Sequence, residues 1–184
     1  VDTIDEQGNV TASATMTCDY LVLAAGSFHT TKLLLKAKAK GTLPKLNDEI
    51  GKGWGSNGNA MFTRNTGIGV PTGKDQGSPP SVAMQDFSNP IAPTLVEAAQ
   101  FPIGVEFYTL LHLACVYAPE RGTFTYDNTK DDVALDWPAA NNKTARDAAM
   151  NCANRVNAAN PNSGNPGAVY LPDRDYKEFT YHPC

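Results

Sequence analysis

Acid–base chemistry needs a side chain whose proton affinity is displaced or whose direction is fixed, and few residues of this chain offer either. Glu106 is one, set in Ile103-Gly104-Val105-Glu106-Phe107-Tyr108 with Leu110 and Leu111 beyond. A carboxylate in such apolar company has two fates. It points to solvent from an edge, or it is buried, its pKa rises and it becomes a usable base. The residue pattern leaves both open, with the solvent fate as the default. His182 lies between Tyr181 and Pro183. The proline steers the residue before it away from helix, and an imidazole on an extended backbone suits a positioned base or hydrogen-bond donor. His112 stands in an apolar run and reads as an ordinary core or surface histidine. His29 falls in the first turn of an expected helix and reads as exposed. Cys18, Cys115, Cys152 and Cys184 are scattered, without a C-x-x-C pair, and the histidines are equally dispersed. That spacing offers no zinc ligand set, and the cysteines are too sparse for a disulfide framework. Cys18, Cys115 and Cys152 read as small buried apolar residues.

The elements that must carry these groups follow from punctuation and period. Val1 to Ile4 and Val10 to Thr17 flank a turn at Gly8-Asn9, a hairpin signal. Tyr20 to Ala25 is a short apolar run that fits a strand buried on both faces. Gly26 breaks it, Ser27 is a candidate helix cap, and Thr30 to Lys40 continues as helix. Lys36, Lys38 and Lys40 fall in the last turns, where cations oppose the negative helix end, and Gly41 supplies the stop. A buried strand, a small-residue turn and a helix N-terminus make a place for a nucleotide, although one glycine at the turn is a weak signal. Gly41 to Gly58 is irregular, with Gly51, Gly53, Gly55 and Gly58 permitting close backbone approach. Strands are expected at 59–67, 81–87 and 94–101. Residues 105–118 are ambiguous between strand and helix. A hairpin joins 123–126 to 133–137 through the polar loop Asp127 to Asp132, which reads as solvated. In 141–160, Ala145, Ala148, Ala149, Cys152, Val156 and Ala159 form one apolar stripe of a long helix lying close on a sheet. A last strand is expected at 168–171.

The chain has 184 residues and a net charge of −4, with no basic footprint, so nucleic acid is not an expected partner. No apolar run approaches the ~18 residues of a membrane span. The sequence opens on Val1 and closes on Tyr181-His182-Pro183-Cys184, and both ends read as cut from a longer protein. Asn9-Val10-Thr11 and Asn142-Lys143-Thr144 are glycosylation triplets of the kind chance supplies. The fold class is α/β (α+β), with a strand–helix nucleotide piece followed, from about Asn59, by a strand-rich region crossed by one long helix.

Longer segments add a resemblance. Leu23-Ala24-Ala25-Gly26-Ser27, Gly51-Lys52-Gly53-Trp54-Gly55-Ser56-Asn57-Gly58-Asn59, Pro71-Thr72-Gly73, Pro102-Ile103-Gly104-Val105-Glu106, Pro119-Glu120-Arg121-Gly122-Thr123-Phe124-Thr125-Tyr126-Asp127 and Tyr181-His182-Pro183 occur in this order. Together they resemble the bacterial cholesterol oxidases of the glucose-methanol-choline (GMC) flavoprotein oxidoreductases. The resemblance implies an internal fragment. Residues 1–59 would be part of a doubly wound FAD-binding domain, 60–178 a substrate domain with a large sheet and a covering helix, and 179–184 the return to the active site. It implies FAD, covalent or not, with Ala25 and Gly26 beside its adenine end. It implies that Glu106 moves a proton between two ring carbons during double-bond isomerisation, from a dry apolar pocket that raises its basicity. His182 would orient or deprotonate the sterol hydroxyl. A sterol and molecular oxygen are the implied partners, with transient contact at a membrane surface, a monomer and secretion. The glycine-rich pyrophosphate loop of the family is missing from these residues, so the isolated chain is expected to be inactive. Two alternatives stay open: another bulky-alcohol oxidase of the family, and a non-catalytic sterol- or lipid-binding module.

Overall fold

The computed structural model of the chain describes residues 1–66, 71–73, 82–99, 104–106 and 108–159, and the backbone of 169–170. The described residues mix two α-helices and a short 3₁₀ helix (Ala139–Asn142) with antiparallel sheets, an α+β arrangement. Strands β1 (Asp2–Ile4) and β2 (Val10–Ser13) form the expected hairpin, with Gly8 at φ +84. The buried strand expected at Tyr20 to Ala25 is not seen. Tyr20 is 92% exposed and Val22 84%, and no described strand lies beside them. A run this apolar is stable as a strand only when both edges are hydrogen-bonded and both faces covered, and no described part of the chain does either. Cys18, expected to be buried, is exposed on the same stretch.

Helix α1 (Gly26–Ala39) begins a turn earlier than the sequence indicates, and Ser27 does not cap it. It ends as read: Gly41 takes φ +72, its amide donates to the Lys38 carbonyl, and the Thr42 amide donates to the Ala37 carbonyl. These paired bonds are the glycine-dependent helix stop of the Schellman type. The helix lies against a three-stranded sheet of β3 (Lys52–Trp54), β8 (Gly122–Asp127) and β9 (Asp132–Asp136), in order β3-β8-β9. Trp54, Phe124 and Trp137 form the buried core there, with Leu35, Val133 and Leu135 packed on it. The rings meet edge-on, Trp54 at 5.0 Å from Trp137 and 6.1 Å from Phe124. The polar loop of the β8–β9 hairpin is not merely solvated. Asp131 pairs with Lys36 and Lys40, and Asp132 with Lys32, so the lysines of α1 are clamped to the hairpin. Those lysines, together with the Tyr126 hydroxyl, hold the Asp131 carboxyl well below the usual carboxylate range.

The five-stranded sheet has the order β10-β4-β7-β6-β5, antiparallel throughout: β4 (Asn59–Asn65), β5 (Ala83–Asp86), β6 (Thr94–Ala99), β7 (Thr109–Val116) and β10 (Val169–Tyr170). The ambiguity at 105–118 is resolved as strand, because β4 and β6 pair with β7 along its whole length. Helix α2 (Lys143–Ala158) crosses one face. Its Ala145, Ala148, Ala149, Cys152 and Ala153 are buried on Ala60, Phe62, Val96, Ala114 and Val116. Val156 and Ala159, expected on the stripe, give way to Ala153 and Asn157. The helix is fixed at three points. Arg155 pairs with Asp86, Thr144 donates to Glu120, and Asn89 Nδ2 donates to the Ala148 carbonyl at 2.9 Å. Asn142 of the second glycosylation triplet is buried and accepts a 3.1 Å bond from Trp137 Nε1, so it is closed to modification, whereas Asn9 is exposed.

Gly58 shows why the Gly-Asn-rich crossing between the two sheets needs its glycines. It stands at φ +58, and a Cβ there would lie 2.1 Å from the Val116 carbonyl oxygen. The backbone of β4 therefore enters the sheet in contact with the end of β7.

Candidate functional site

Strand alternation gives the five-stranded sheet two unlike faces. Phe62, Val96, Ala114 and Val116 face α2 and are buried. The alternate residues Met61, Leu95, Leu111 and Leu113 lie on the other face and are half-exposed, with no described element over them. Registers Leu95↔Cys115, Glu97↔Leu113↔Met61 and Ala99↔Leu111↔Thr63 make this a continuous apolar surface with one carboxylate, Glu97, in its middle. Burial, then the charge of Glu97, pushes the Cys115 thiol pKa up, as expected of neighbours on one face.

Glu106 precedes the head of β7. It is not in the dry apolar setting expected of it. Thr72 Oγ donates to Glu106 Oε1 at 2.6 Å, the Thr72 amide to Oε1 at 3.1 Å, the Gly73 amide to Oε2 at 2.6 Å and the Tyr108 amide to Oε1 at 2.6 Å. Four donors on one carboxylate favour its ionised form. The Thr72 hydroxyl foremost, opposed by burial, and then the Tyr108, Thr72 and Gly73 amides bring its pKa from 4.5 down to about 2. The physical reason is that Thr72 and Gly73, distant in sequence, and Tyr108 all direct backbone amides at the carboxylate, which the apolar sequence neighbours cannot reveal. Tyr108 is held at φ +52, a conformation costly for a bulky residue. It is pinned from both sides, its amide on Glu106 and its carbonyl accepting from the Thr66 amide at 2.8 Å.

His182 lies outside the described residues. His112 faces α2, stacked on Phe62 at 4.9 Å, and burial followed by the charge of Arg64 lowers its pKa. It is half-buried at the edge of the core, and its Nε2 is buried without a partner among the described residues, so it is not the satisfied histidine of the default reading. His29 is exposed, as read. Among the described residues no His, Cys, Asp or Glu cluster is arranged to hold a metal, and no helix is long and apolar enough to cross a membrane.

Two clefts lie among the described residues. One, of about 310 Å³, lies at the tail of β7 between Gly55 to Gly58, Phe87, Leu95, Val116, Tyr117 and Arg121. It is separated from Glu106 by the length of β7, roughly 25 Å at ~3.3 Å per residue. The other, of about 250 Å³, lies between the start of α1 (Ser27, Thr30, Thr31) and Lys52, Gly53, Trp54 and Phe124. Ala25 and Gly26 sit at the entry to this helix. Gly26 has φ +79 with open space beside it, and no side chain caps the helix. Trp54 Nε1 is buried without a partner among the described residues. An uncapped helix start suits one edge of a nucleotide.

Two residues of interest escaped the sequence reading. Glu97 was legible, since the strand at 94–101 was identified and period two places it with Leu95. Thr72 was not, because nothing local marks a partner 34 residues away.

Residues 57–165 match the family model described as GMC oxidoreductase, C-terminal. The match spans more than half of the chain and takes in the five-stranded sheet from β4 to β7, Glu106, Thr72 and α2. Ala25, Gly26 and His182 fall outside it.

Proposed function

The chain belongs to the GMC oxidoreductase family, and from that premise we propose that it is the substrate-facing part of an FAD-dependent oxidase. That enzyme would act on the 3β-hydroxyl of cholesterol-like sterols, pass electrons to O2 to give hydrogen peroxide, and move the Δ5 double bond to Δ4. Members of the family generally bind FAD. The observation that carries the sterol reading is the open sheet face: a broad apolar surface sealed behind by α2 and flanked at one end by a fixed carboxylate. A flat, rigid, apolar substrate is what such a surface recognises.

In this reading residues 1–59 belong to the flavin domain, 60–178 to the sterol domain, and 179–184 lead back to the active site. Ala25 and Gly26 hold the adenine end of the cofactor, and the cleft at the start of α1 fits that use. FAD, when bound, supplies the hydride acceptor. His182 orients the sterol hydroxyl or takes its proton. Glu106 takes a carbon-bound proton on a carboxylate oxygen and returns it one allylic position away. A carboxylate held at a pKa of about 2 is a weak base, so in this reading what the four donors contribute to the proton transfer is a fixed direction and not basicity. The protein is proposed to work as a secreted monomer that draws sterol from membrane surfaces.

The experiment is to load the full protein with FAD and offer a 3β-hydroxy-Δ5 sterol, a long-chain alcohol and a sugar alcohol, following peroxide and conjugated enone together. The reading expects both signals with the sterol and little with the others. Peroxide from a different bulky alcohol and none from the sterol overturns it. Glu97 favours that second outcome, because a sterol nucleus offers no partner to a carboxylate in the middle of the face.

A further inference from the structure

The four donors around Glu106 come from two segments, and only one donor is a side chain. The Tyr108 amide is next but one in sequence and is aimed by the strained φ +52 backbone. Thr72 and Gly73 come from 34 and 33 residues away, and nothing in the covalent chain obliges them to be there. Thr72 gives both its hydroxyl and its amide to the same oxygen, Oε1. A glutamate side chain has several rotamers open to it, and multiple donors from a distant segment select one. The described groups that face Glu106 are this hydroxyl and the three amides. Among the described residues no charged side chain forms an ion pair with it.

We propose that Thr72 is the positioning residue for Glu106: its hydroxyl anchors the 71–73 turn to the carboxylate and holds it in one orientation at the head of the open sheet face. The inference rests on the reading of Glu106 as the isomerisation base, and gives that base a resting state. Clamped, the carboxylate is ionised and weakly basic. Freed of the Thr72 hydroxyl, it recovers basicity and loses its fixed direction. Product partition therefore depends on Thr72, whereas alcohol oxidation, which uses other groups, does not.

The test uses the FAD-loaded full protein as Thr72→Val, Thr72→Ser and Glu106→Gln, with a 3β-hydroxy-Δ5 sterol. In Thr72→Val the fraction of unisomerised ketone released is expected to rise about tenfold, the scale of one lost hydrogen bond to a charged group. Peroxide formation should stay within about twofold of wild type, and Thr72→Ser should restore the wild-type partition. A second readout does not depend on turnover. Carboxyl ¹³C NMR of labelled glutamate, with Glu106 assigned by its loss in Glu106→Gln, should show a midpoint near 2 in wild type. In Thr72→Val that midpoint should be higher by about one pH unit. A wild-type midpoint near 4.5, or identical midpoints and partition in wild type and Thr72→Val, overturns the proposal, and the wild-type titration decides even if Thr72→Val does not fold. If Glu106→Gln isomerises normally, the base reading fails instead. A shifted midpoint would then still establish the clamp.

Discussion

The two cores of this chain are built on opposite plans. Under α1, three large rings (Trp54, Phe124 and Trp137) fill the space between a helix and a three-stranded sheet, and lysine–aspartate pairs hold the helix in place. Under α2, alanines dominate: Ala60, Ala114, Ala145, Ala148, Ala149 and Ala153 let helix and sheet approach closely, with Phe62 buried among them and the half-buried His112 stacked on it. The first plan draws on residues from both sides of Asn59 and is stitched by distant contacts. The second is contiguous with the sheet whose other face no described element covers. The difference separates two jobs. A close-packed, small-residue core makes a stiff backing plate for a functional surface. An aromatic core at the helix start tolerates more local adjustment and sits beside the cleft assigned to the nucleotide.

That contrast breaks most visibly at Trp137, which is 2% exposed. Trp137→Ala should cost about 4 kcal/mol in denaturant unfolding, the usual loss for a buried tryptophan. Hydrogen exchange should rise in α1 and β8–β9 while β4, β6 and β7 stay protected. Equal loss of protection in both sheets would show that the two cores are one cooperative unit. The reverse insult is Ala148→Leu, at a position with no exposure. Overpacking there should cost about 2 kcal/mol and should disturb sterol turnover more than Trp137→Ala does, because it lifts α2 from the plate.

A smaller effect is set by pH. The Glu106 pKa lies at about 2 in the folded chain against an ordinary 4.5. A carboxyl depressed on folding contributes fully above its unfolded value and loses that contribution as pH falls through its folded value. The Thr72, Gly73 and Tyr108 amide chemical shifts should therefore hold steady down to about pH 4.5 and move as pH approaches 2. Smallest of all is the surface clamp. Asp131→Asn removes pairing to Lys36 and Lys40 in solvent. It should lower the melting temperature slightly at low salt and not at all at high salt.

Local signals carried much of the fold. The N-terminal hairpin, the α1 stop at Gly41, the β8–β9 hairpin and the α2 stripe all follow from turn residues and periodicity within a few residues of one another. What failed depended on partners far along the chain or outside the described residues. Tyr20 to Ala25 has the composition of a central strand but no strand to pair with among the described residues. The strand or helix choice at 105–118 was made by β4 and β6, not by its own leucines. Glu106 was legible as an oddity, yet its apolar sequence neighbours misled, because the groups that touch it are amides and a hydroxyl brought from residues 72 and 73.

The account turns on Glu106 serving the double-bond shift and not the oxidation. The most direct measurement is Glu106→Gln in the FAD-loaded protein, with peroxide and conjugated enone recorded from the same sterol. The account predicts near wild-type peroxide and unisomerised ketone as the main product. Unchanged enone formation alongside normal peroxide would contradict it.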